Sequence, residues 1–278
     1  MKRQKILKLG QKIIDTEIRA LKQVRRRLGK EFIQTIRLIQ GCRGKIVVTG
    51  MGKSGIIGRK IAGTMSSTGT TAVFLHPGEA IHGDLGLVTK GDIILAISNS
   101  GESDEILRIL PAVKKIGARI VALTSSSEST LARASDVVIS TGPVQEADDF
   151  GLVPSSSTTC ALVLGDALAL TLLALSSFDQ RDYALYHPGG NLGKRLMLKV
   201  RDVMQTGKQI PVTEETVCFP EALKVINEKN LGFTLVVNNK QQLVGIITDG
   251  DVRRLLLRHG ENLSCLQVKD IMTKNPKT

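Results

Sequence analysis

Tryptophan is absent from this 278-residue chain, and aromatic residues make up only 3% of it, six Phe and two Tyr. A surface that stacks bases on aromatic rings has almost no material here, and the core has to be packed from aliphatic side chains. Cysteine is scarce as well: Cys42, Cys160, Cys218 and Cys265 are scattered without a CxxC pair, so spacing suggests neither a disulfide framework nor a zinc site. No apolar run has the length expected of a bilayer span. The opening Met1-Lys2-Arg3-Gln4-Lys5 leads into a charged helical pattern rather than a signal-peptide core. A cytoplasmic protein with no membrane association is the expectation. Acidic side chains are outnumbered, 26 against 38 Lys and Arg, for a net charge of +12. The basic residues are spread, densest over 19–30 and at Arg253 and Arg254. They read as solvated helix faces or as a field for small anions, and no zinc-finger spacing or RNP-like strand supports nucleic-acid binding.

What is present reads as two domains, in keeping with the length. Ile6, Leu7, Ile13, Ile14, Ile18, Leu21, Val24, Leu28, Phe32, Ile36 and Ile39 recur at mostly helical spacing and predict a helical N-terminal segment over 1–40. The burst Ile46-Val47-Val48 then runs into Gly50-Met51-Gly52-Lys53-Ser54-Gly55 and a helical stretch, a strand–turn–helix unit. The unit returns at 93–97, followed by Ser98-Asn99-Ser100-Gly101-Glu102-Ser103 and a helix over 105–116, and again at Ile120-Val121-Ala122-Leu123 before Thr124-Ser125-Ser126. Val137-Val138-Ile139 is a further strand, and 158–175, apolar on nearly every side, reads as a buried helix. Short buried strands alternating with helices predict a parallel sheet covered on both faces. Past residue 198 the texture changes. Val200-Arg201-Asp202-Val203-Met204 is echoed by Val268-Lys269-Asp270-Ile271-Met272, and between the copies lie two strands around an Asn238-Asn239 turn and a helix over 250–258.

In an open parallel sheet ligands bind beyond the carboxyl ends of the strands, where these Gly/Ser-rich turns fall. Hydroxyls and unpaired N–H groups at a helix start hold a phosphate well. Ser98-Asn99-Ser100, Thr124-Ser125 and the run 154–159 could do so; a bland capping role is the alternative for each. Gly52-Lys53-Ser54 lacks the spacing of a P-loop, and no acidic ribose ligand follows Gly50-x-Gly52 as a dinucleotide site would need. Proton transfer between adjacent carbons of a sugar needs a base, a proton donor and an anion anchor. Glu102, Glu105, Glu146, Lys53, His76, His82 and His187 are the candidates, and a glutamate of raised pKa is a familiar base for such chemistry. His76 and His187 each precede proline, which places both in extended or loop backbone, while His259 beside Gly260 reads as a helix-end contact.

Gly50-Met51-Gly52-Lys53-Ser54-Gly55, His76-Pro77-Gly78-Glu79-Ala80, His82-Gly83-Asp84-Leu85-Gly86, Ser98-Asn99-Ser100-Gly101-Glu102-Ser103 and Tyr186-His187-Pro188-Gly189-Gly190 together resemble the D-arabinose 5-phosphate isomerases. The resemblance implies an α/β fold: a sugar isomerase (SIS) domain over 41–195, its parallel sheet sandwiched by helices, then an incomplete CBS pair of α+β type. The first CBS module would occupy 200–260 and the start of a truncated second one 266–278. It implies interconversion of D-ribulose 5-phosphate and D-arabinose 5-phosphate for Kdo and lipopolysaccharide synthesis, without a redox cofactor. By motif match the family's catalytic residues fall on Lys53, Glu105, Glu146 and His187. Gly69, Thr70, His76, His82, Ser98, Asn99, Ser100, Thr124 and Ser125 match substrate-contacting positions. No metal is required, although His76 and His82 could capture a soft metal as an inhibitor. A homotetramer with sites formed between subunits is implied, and for the CBS region either a nucleotide effector, with Asp249 reaching a ribose, or a scaffold role in supporting the tetramer.

The chain departs from the family pattern at Asp148-Asp149-Phe150, where Cys-Pro is common, and at Tyr186, where serine is common. Two competing readings are a sugar-phosphate sensor without catalysis and an isomerase for another sugar phosphate. Sensors of this kind carry a helix-turn-helix domain before the SIS domain, for which the forty-odd residues before the first strand leave little room.

Overall fold

The computed structural model of the chain describes residues 2–187, 199–259 and 266–277. Pro188, Gly189, Gly190, Gly260 and Cys265 lie outside the described residues. The chain divides into two compact units, residues 1–197 and 198–278.

The first unit is built on a five-stranded parallel sheet, β1 (Ile46–Gly50), β2 (Ala72–Phe74), β3 (Ile93–Ile97), β4 (Arg119–Thr124) and β5 (Val137–Ser140), in the order β2-β1-β3-β4-β5. Parallel neighbours need crossover connections. These are α3 (Gly52–Ser67) from β1 to β2, α4 (Pro77–Ile81) with a 3-10 turn at Asp84–Leu87 from β2 to β3, α5 (Asp104–Ile116) from β3 to β4, and α6 (Thr130–Ala134) from β4 to β5. The helices α1 (Lys2–Arg27) and α2 (Lys30–Gln40) precede the sheet; α7 (Ser156–Ala174) and α8 (Gln180–Tyr186) follow it. Strands β1 and β3 are buried at every position, as expected for a sheet covered on both faces.

Alternation along the strands sorts the core into two layers. Ile46, Val48, Leu95 and Val121 face Ile61 and Met65 of α3, Leu164 and Leu168 of α7, and Val24 and Ile36 of the first two helices. Val47, Ile94 and Ile120 face Ile106, Ile109 and Val113 of α5 and Leu131 of α6. The near-uniform apolarity of α7 follows from its place: it packs on α3 and α1, with Leu168 and Ala169 fully buried. This is the one helix among the described residues long and apolar enough to cross a bilayer, and here those properties serve the core. The N-terminal periodicity is only half used. In α1, Ala20 and Val24 are buried, whereas Ile6, Leu7, Ile13 and Ile14 are exposed, so the packed part of the helix begins near Thr16.

The second unit has a four-stranded sheet in the order β6 (Val212–Glu214), β7 (Phe233–Val237), β8 (Leu243–Thr248), β9 (Thr273–Lys274), in which only β6 and β7 are parallel. Its other elements are α9 (Val200–Val203), α10 (Phe219–Lys229), α11 (Asp249–His259) and α12 (Val268–Ile271). Phe219, Ala222 and Ile226 pack on Val236, Ile247 and Val268. The β7–β8 connection is longer than a two-residue Asn-Asn hairpin: Asn238 N–H donates to the Gln242 carbonyl, and the left-handed residue is Gln241, at φ 59°.

Candidate active site

The connection from β1 runs to β2 on one side of the sheet, while β3 lies on the other. This reversal opens a crevice outside the carboxyl ends of β1 and β3, the place where open α/β sheets bind ligands. Lys53 follows β1 in the first turn of α3. Gly50 and Gly55 allow β1 and α3 to meet closely, since a Cβ on Gly55 would stand 2.5 Å from the Gly50 carbonyl oxygen. Met51, the N-cap of α3, supplies no side-chain cap, so the first N–H groups of a sixteen-residue helix are left for an anion. Lys53 is exposed and belongs to none of the ion pairs among the described residues.

The turn after β3 is braced from within. Ser98 is buried, its hydroxyl 2.9 Å from the Ser103 hydroxyl while it accepts the Gly101 N–H. Thr124 and Ser125, at the end of β4, donate their hydroxyls to the Asn99 carbonyl at 3.1 and 2.7 Å. Gly101 holds φ +70° against the Ser129 side chain, which a Cβ would strike. Ser98 and Thr124 therefore shape the loop, while Asn99 and Ser100 are the exposed residues on it. Glu102 is committed elsewhere: it accepts the Thr130 N–H at the start of α6 at 2.7 Å, and hydrogen bonds from Thr130 hold its carboxyl below the usual value. Glu105 stands half-buried in the first turn of α5.

Glu146 lies in the connection from β5 to α7. Its Oε2 accepts the Ser155 N–H at 2.9 Å, the Ser155 hydroxyl at 3.1 Å and the Ser157 N–H at 3.2 Å. Burial pushes its pKa up, but the hydrogen bonds from Ser157 and Ser155 outweigh this and set it below the ordinary glutamate value. The direction is opposite to the raised pKa expected of a base. Three donors gathered at the start of α7 explain it, and no local pattern in the chain signals that they converge on one oxygen.

His76 begins α4, with its Nδ1 buried and without a hydrogen-bond partner among the described residues; His82 ends that helix and is exposed. No group of three or more His, Cys, Asp or Glu among the described residues gathers as a metal-binding cluster. Both histidines follow β2 and so belong to the carboxyl edge with Lys53, the Ser98–Ser100 turn, Glu105, Thr124, Ser125 and Glu146. Gly69 and Thr70 do not. They precede β2 and line the amino edge of the sheet with Leu172 and Leu175 at the far end of α7. His187 is with them: Phe178 packs on Gly69, the rings of Phe178 and Tyr186 stack 5.8 Å apart, and His187 caps α8 with its ring 4.0 Å from that of Tyr183 and its Nδ1 2.9 Å from the Tyr183 carbonyl oxygen. A single chain thus splits the expected residues between opposite edges. The crevice lined by Ser54, Asn99, Thr124, Thr141 and Ser157 has room for about 10 Å³, roughly one water.

The SIS domain family model matches residues 38–171 and the CBS domain model residues 200–258. The chain is 45% identical over 277 residues to a probable arabinose 5-phosphate isomerase of Haemophilus influenzae, covering 100% of this chain and 81% of that one. It is 44% identical over 264 residues to arabinose 5-phosphate isomerase KdsD of Escherichia coli K12, covering 95% of this chain and 80% of that one. An E. coli CFT073 protein solved in complex with arabinose 5-phosphate aligns with a TM-score of 0.66 at 45% identity, over 68% of this chain and 100% of that one.

Proposed function

The chain belongs to the arabinose 5-phosphate isomerase family, and we propose that it interconverts D-ribulose 5-phosphate and D-arabinose 5-phosphate through an enediol. The observation that supports this reading is that Ser54 beside Lys53, Asn99 of the turn after β3 and Ser157, which donates to Glu146, line one crevice at the carboxyl edge of the sheet. The phosphate anchors on the turn after β3, through Asn99, Ser100 and its N–H groups. Glu146, a carboxylate at neutral pH whose pKa its serine donors lower further, enters as the proton acceptor, and Oε1 is the oxygen left to receive the proton. Removal of the proton on one carbon leaves negative charge on the substrate oxygens, which the Lys53 ammonium stabilises, and the Glu146 carboxyl then returns the proton to the neighbouring carbon. Glu105 offers a second carboxylate at the same edge for the sugar hydroxyls, with His76 and His82 beside it.

His187 joins such a site from a neighbouring copy, in a homotetramer; its place at the amino edge of its own chain supports this reading. A phosphorylated sugar does not cross a bilayer unaided, so the enzyme works in the cytoplasm, and its product feeds Kdo and lipopolysaccharide synthesis. The CBS-type unit is assigned a nucleotide effector near the start of α11. There Asp251 is engaged by the Thr248 N–H and hydroxyl at 2.9 and 2.7 Å and by Arg254 at 2.6 Å, while Asp249 is exposed and available to a ribose.

The test is turnover of D-ribulose 5-phosphate by the purified protein, with Glu146→Gln and Lys53→Ala alongside. Each substitution is expected to lower kcat by about 100-fold or more. Binding of the sugar phosphate without turnover by the wild type would instead fit a sensor.

A further inference from the structure

The segment between Glu146 and α7 is more ordered than an exposed loop needs to be. Its tip carries Phe150, Leu152 and Val153 at 85, 79 and 52% exposure, and so gains little from burial. Most of the hydrogen bonds inside its tip converge on one side chain. Asp148 Oδ1 accepts the Phe150 N–H at 2.9 Å and the Leu152 N–H at 3.3 Å, Oδ2 accepts the Val153 N–H at 2.9 Å, and the Asp148 carbonyl accepts the Gly151 N–H at 3.3 Å. Immediately beyond this turn is Ser155, whose N–H and hydroxyl hold Glu146 Oε2 and whose Oγ also accepts the Ala147 N–H at 2.9 Å. The two carboxylates are thus nested: Asp148 closes the inner turn over 148–153, and Glu146 closes the outer one over 146–157.

We propose that Asp148 is a positioning residue for Glu146, fixing the inner turn so that Ser155 and Ser157 present their donors to Glu146 Oε2 and hold the carboxylate in place. The inference rests on the reading of Glu146 as the proton-transfer carboxylate. Asp148 itself touches no reacting atom; it acts through the backbone. The hydrogen bonds from Val153, Leu152 and Phe150 also hold its own carboxyl below the usual aspartate value, with burial opposing them, so the turn is closed by a charged acceptor at neutral pH. Other titratable groups near Glu146 are Glu17 on α1 and Cys160 on α7, the latter pushed up to about 11 by burial and by the charges of Glu146 and Glu17. On the same loop, Asp149 pairs with Lys12 at 2.7 Å. All of these stay unchanged in the test.

The experiment compares wild type, Asp148→Ala and Asp148→Asn by steady-state kinetics. In the same proteins the Glu146 carboxyl is titrated by carbon-13 NMR, with its signal assigned by its absence in Glu146→Gln. In Asp148→Ala, kcat is expected to fall at least about tenfold while KM stays within about threefold, because a loosened catalytic group costs rate before it costs binding. The Glu146 midpoint should rise toward the ordinary 4.5. Asn keeps the Oδ1 acceptor for Phe150 and Leu152, so Asp148→Asn should recover most of the lost kcat and most of the titration shift. If Asp148→Ala leaves both kcat and the Glu146 midpoint at wild-type values, or if Asn performs no better than Ala, the proposal is wrong. Should Asp148→Ala fail to fold, Asp148→Leu, which is close to isosteric and offers no acceptor to Phe150, Leu152 or Val153, takes its place with the same expectations, and wild-type values of both kcat and the Glu146 midpoint in it overturn the proposal. A catalytic role for Glu146 fails separately, if Glu146→Gln turns over like wild type, and the titration still reads the positioning.

Discussion

Asp92 and Glu146 show how a carboxylate is kept charged inside this fold, and at what cost when its partners go. The Asp92 side chain is fully buried at the start of β3, where it accepts the Lys45 N–H at 2.9 Å, the Lys45 ammonium at 2.7 Å, and the Thr89 N–H and hydroxyl at 2.8 and 3.1 Å. Burial raises its pKa, but Lys45 and Thr89 together outweigh burial and lower it from 3.8. Asp92→Asn turns a donor toward these donors and leaves Lys45 unmatched, so a loss of about 3 kcal/mol is expected, read as a drop in the urea midpoint at neutral pH. A depressed native pKa gives stability that is present above the unfolded value and lost as pH falls through the native one. The gap between wild type and Asp92→Asn should therefore be full at neutral pH and close progressively below the ordinary 3.8; a gap that persists undiminished in acid would contradict the assignment. Asp92 drew no notice in the sequence because an aspartate after a glycine reads as a turn residue, and only the approach of β1 to β3 gives it four donors. The place of Lys53, Ser98, Asn99 and Ser100 at the carboxyl edge was legible, since each closely follows a strand and chain order alone then fixes the edge of the sheet. Glu146 stood in the sequence only as one of seven candidates, and the family resemblance alone set it apart, because nothing local marks a glutamate in a long connection.

At the scale of elements, the sequence echo of Val200–Met204 in Val268–Met272 is also an echo in backbone. Both α9 and α12 are four-residue helices that end on a methionine in extended conformation, Met204 at φ −67°, ψ 147° and Met272 at φ −68°, ψ 149°. Their surroundings differ. Val268 is fully buried among Phe219, Ala222, Ile226, Val236 and Ile247, whereas Val200 is 78% exposed. Val268→Ala is thus expected to destabilise the second unit by about 2 kcal/mol, and Val200→Ala to stay within about 0.5 kcal/mol of wild type. Thermal unfolding of the two variants side by side tests this, and equal losses would mean that Val200 has a covering surface of its own. Repetition was visible in the sequence because local geometry follows local residues, but burial is a property of neighbours. The same limit explains β2, β6 and β9, which have two or three residues each and present no period to read. The long apolar signals behaved otherwise: β1, β3 and β4 were legible as buried strands, while α7, expected to be buried, is enclosed on one side only and leaves Val163 and Leu170 exposed.

Over the whole molecule, a parallel sheet gives every strand the same direction, and so gives the protein two chemically different edges. Lys53, Glu105 and Glu146 belong to the carboxyl edge; Gly69, Thr70 and His187 belong to the other. The sequence could order these residues but could not reveal this division, because it depends on α7 running from the crevice back along the sheet and delivering α8 to the amino edge. A site that needs both sets then requires two copies of the chain, and closed symmetric assemblies supply such pairings repeatedly. The consequence is measurable by complementation. Lys53→Ala and His187→Ala are each expected to be nearly inactive as pure assemblies. Co-expressed in equal amounts with different affinity tags and purified as mixed oligomers, they should regain about a quarter of the wild-type activity, because a site pairing an intact Lys53 with a neighbour's intact His187 arises with a probability of one half times one half. Mixed oligomers confirmed by mass that remain as inactive as the parent variants would place Lys53 and His187 in the same chain's site, or remove His187 from the chemistry altogether. Kinetics of the His187→Ala assembly alone, in which a loss of kcat without folding defects is expected, separate those two outcomes.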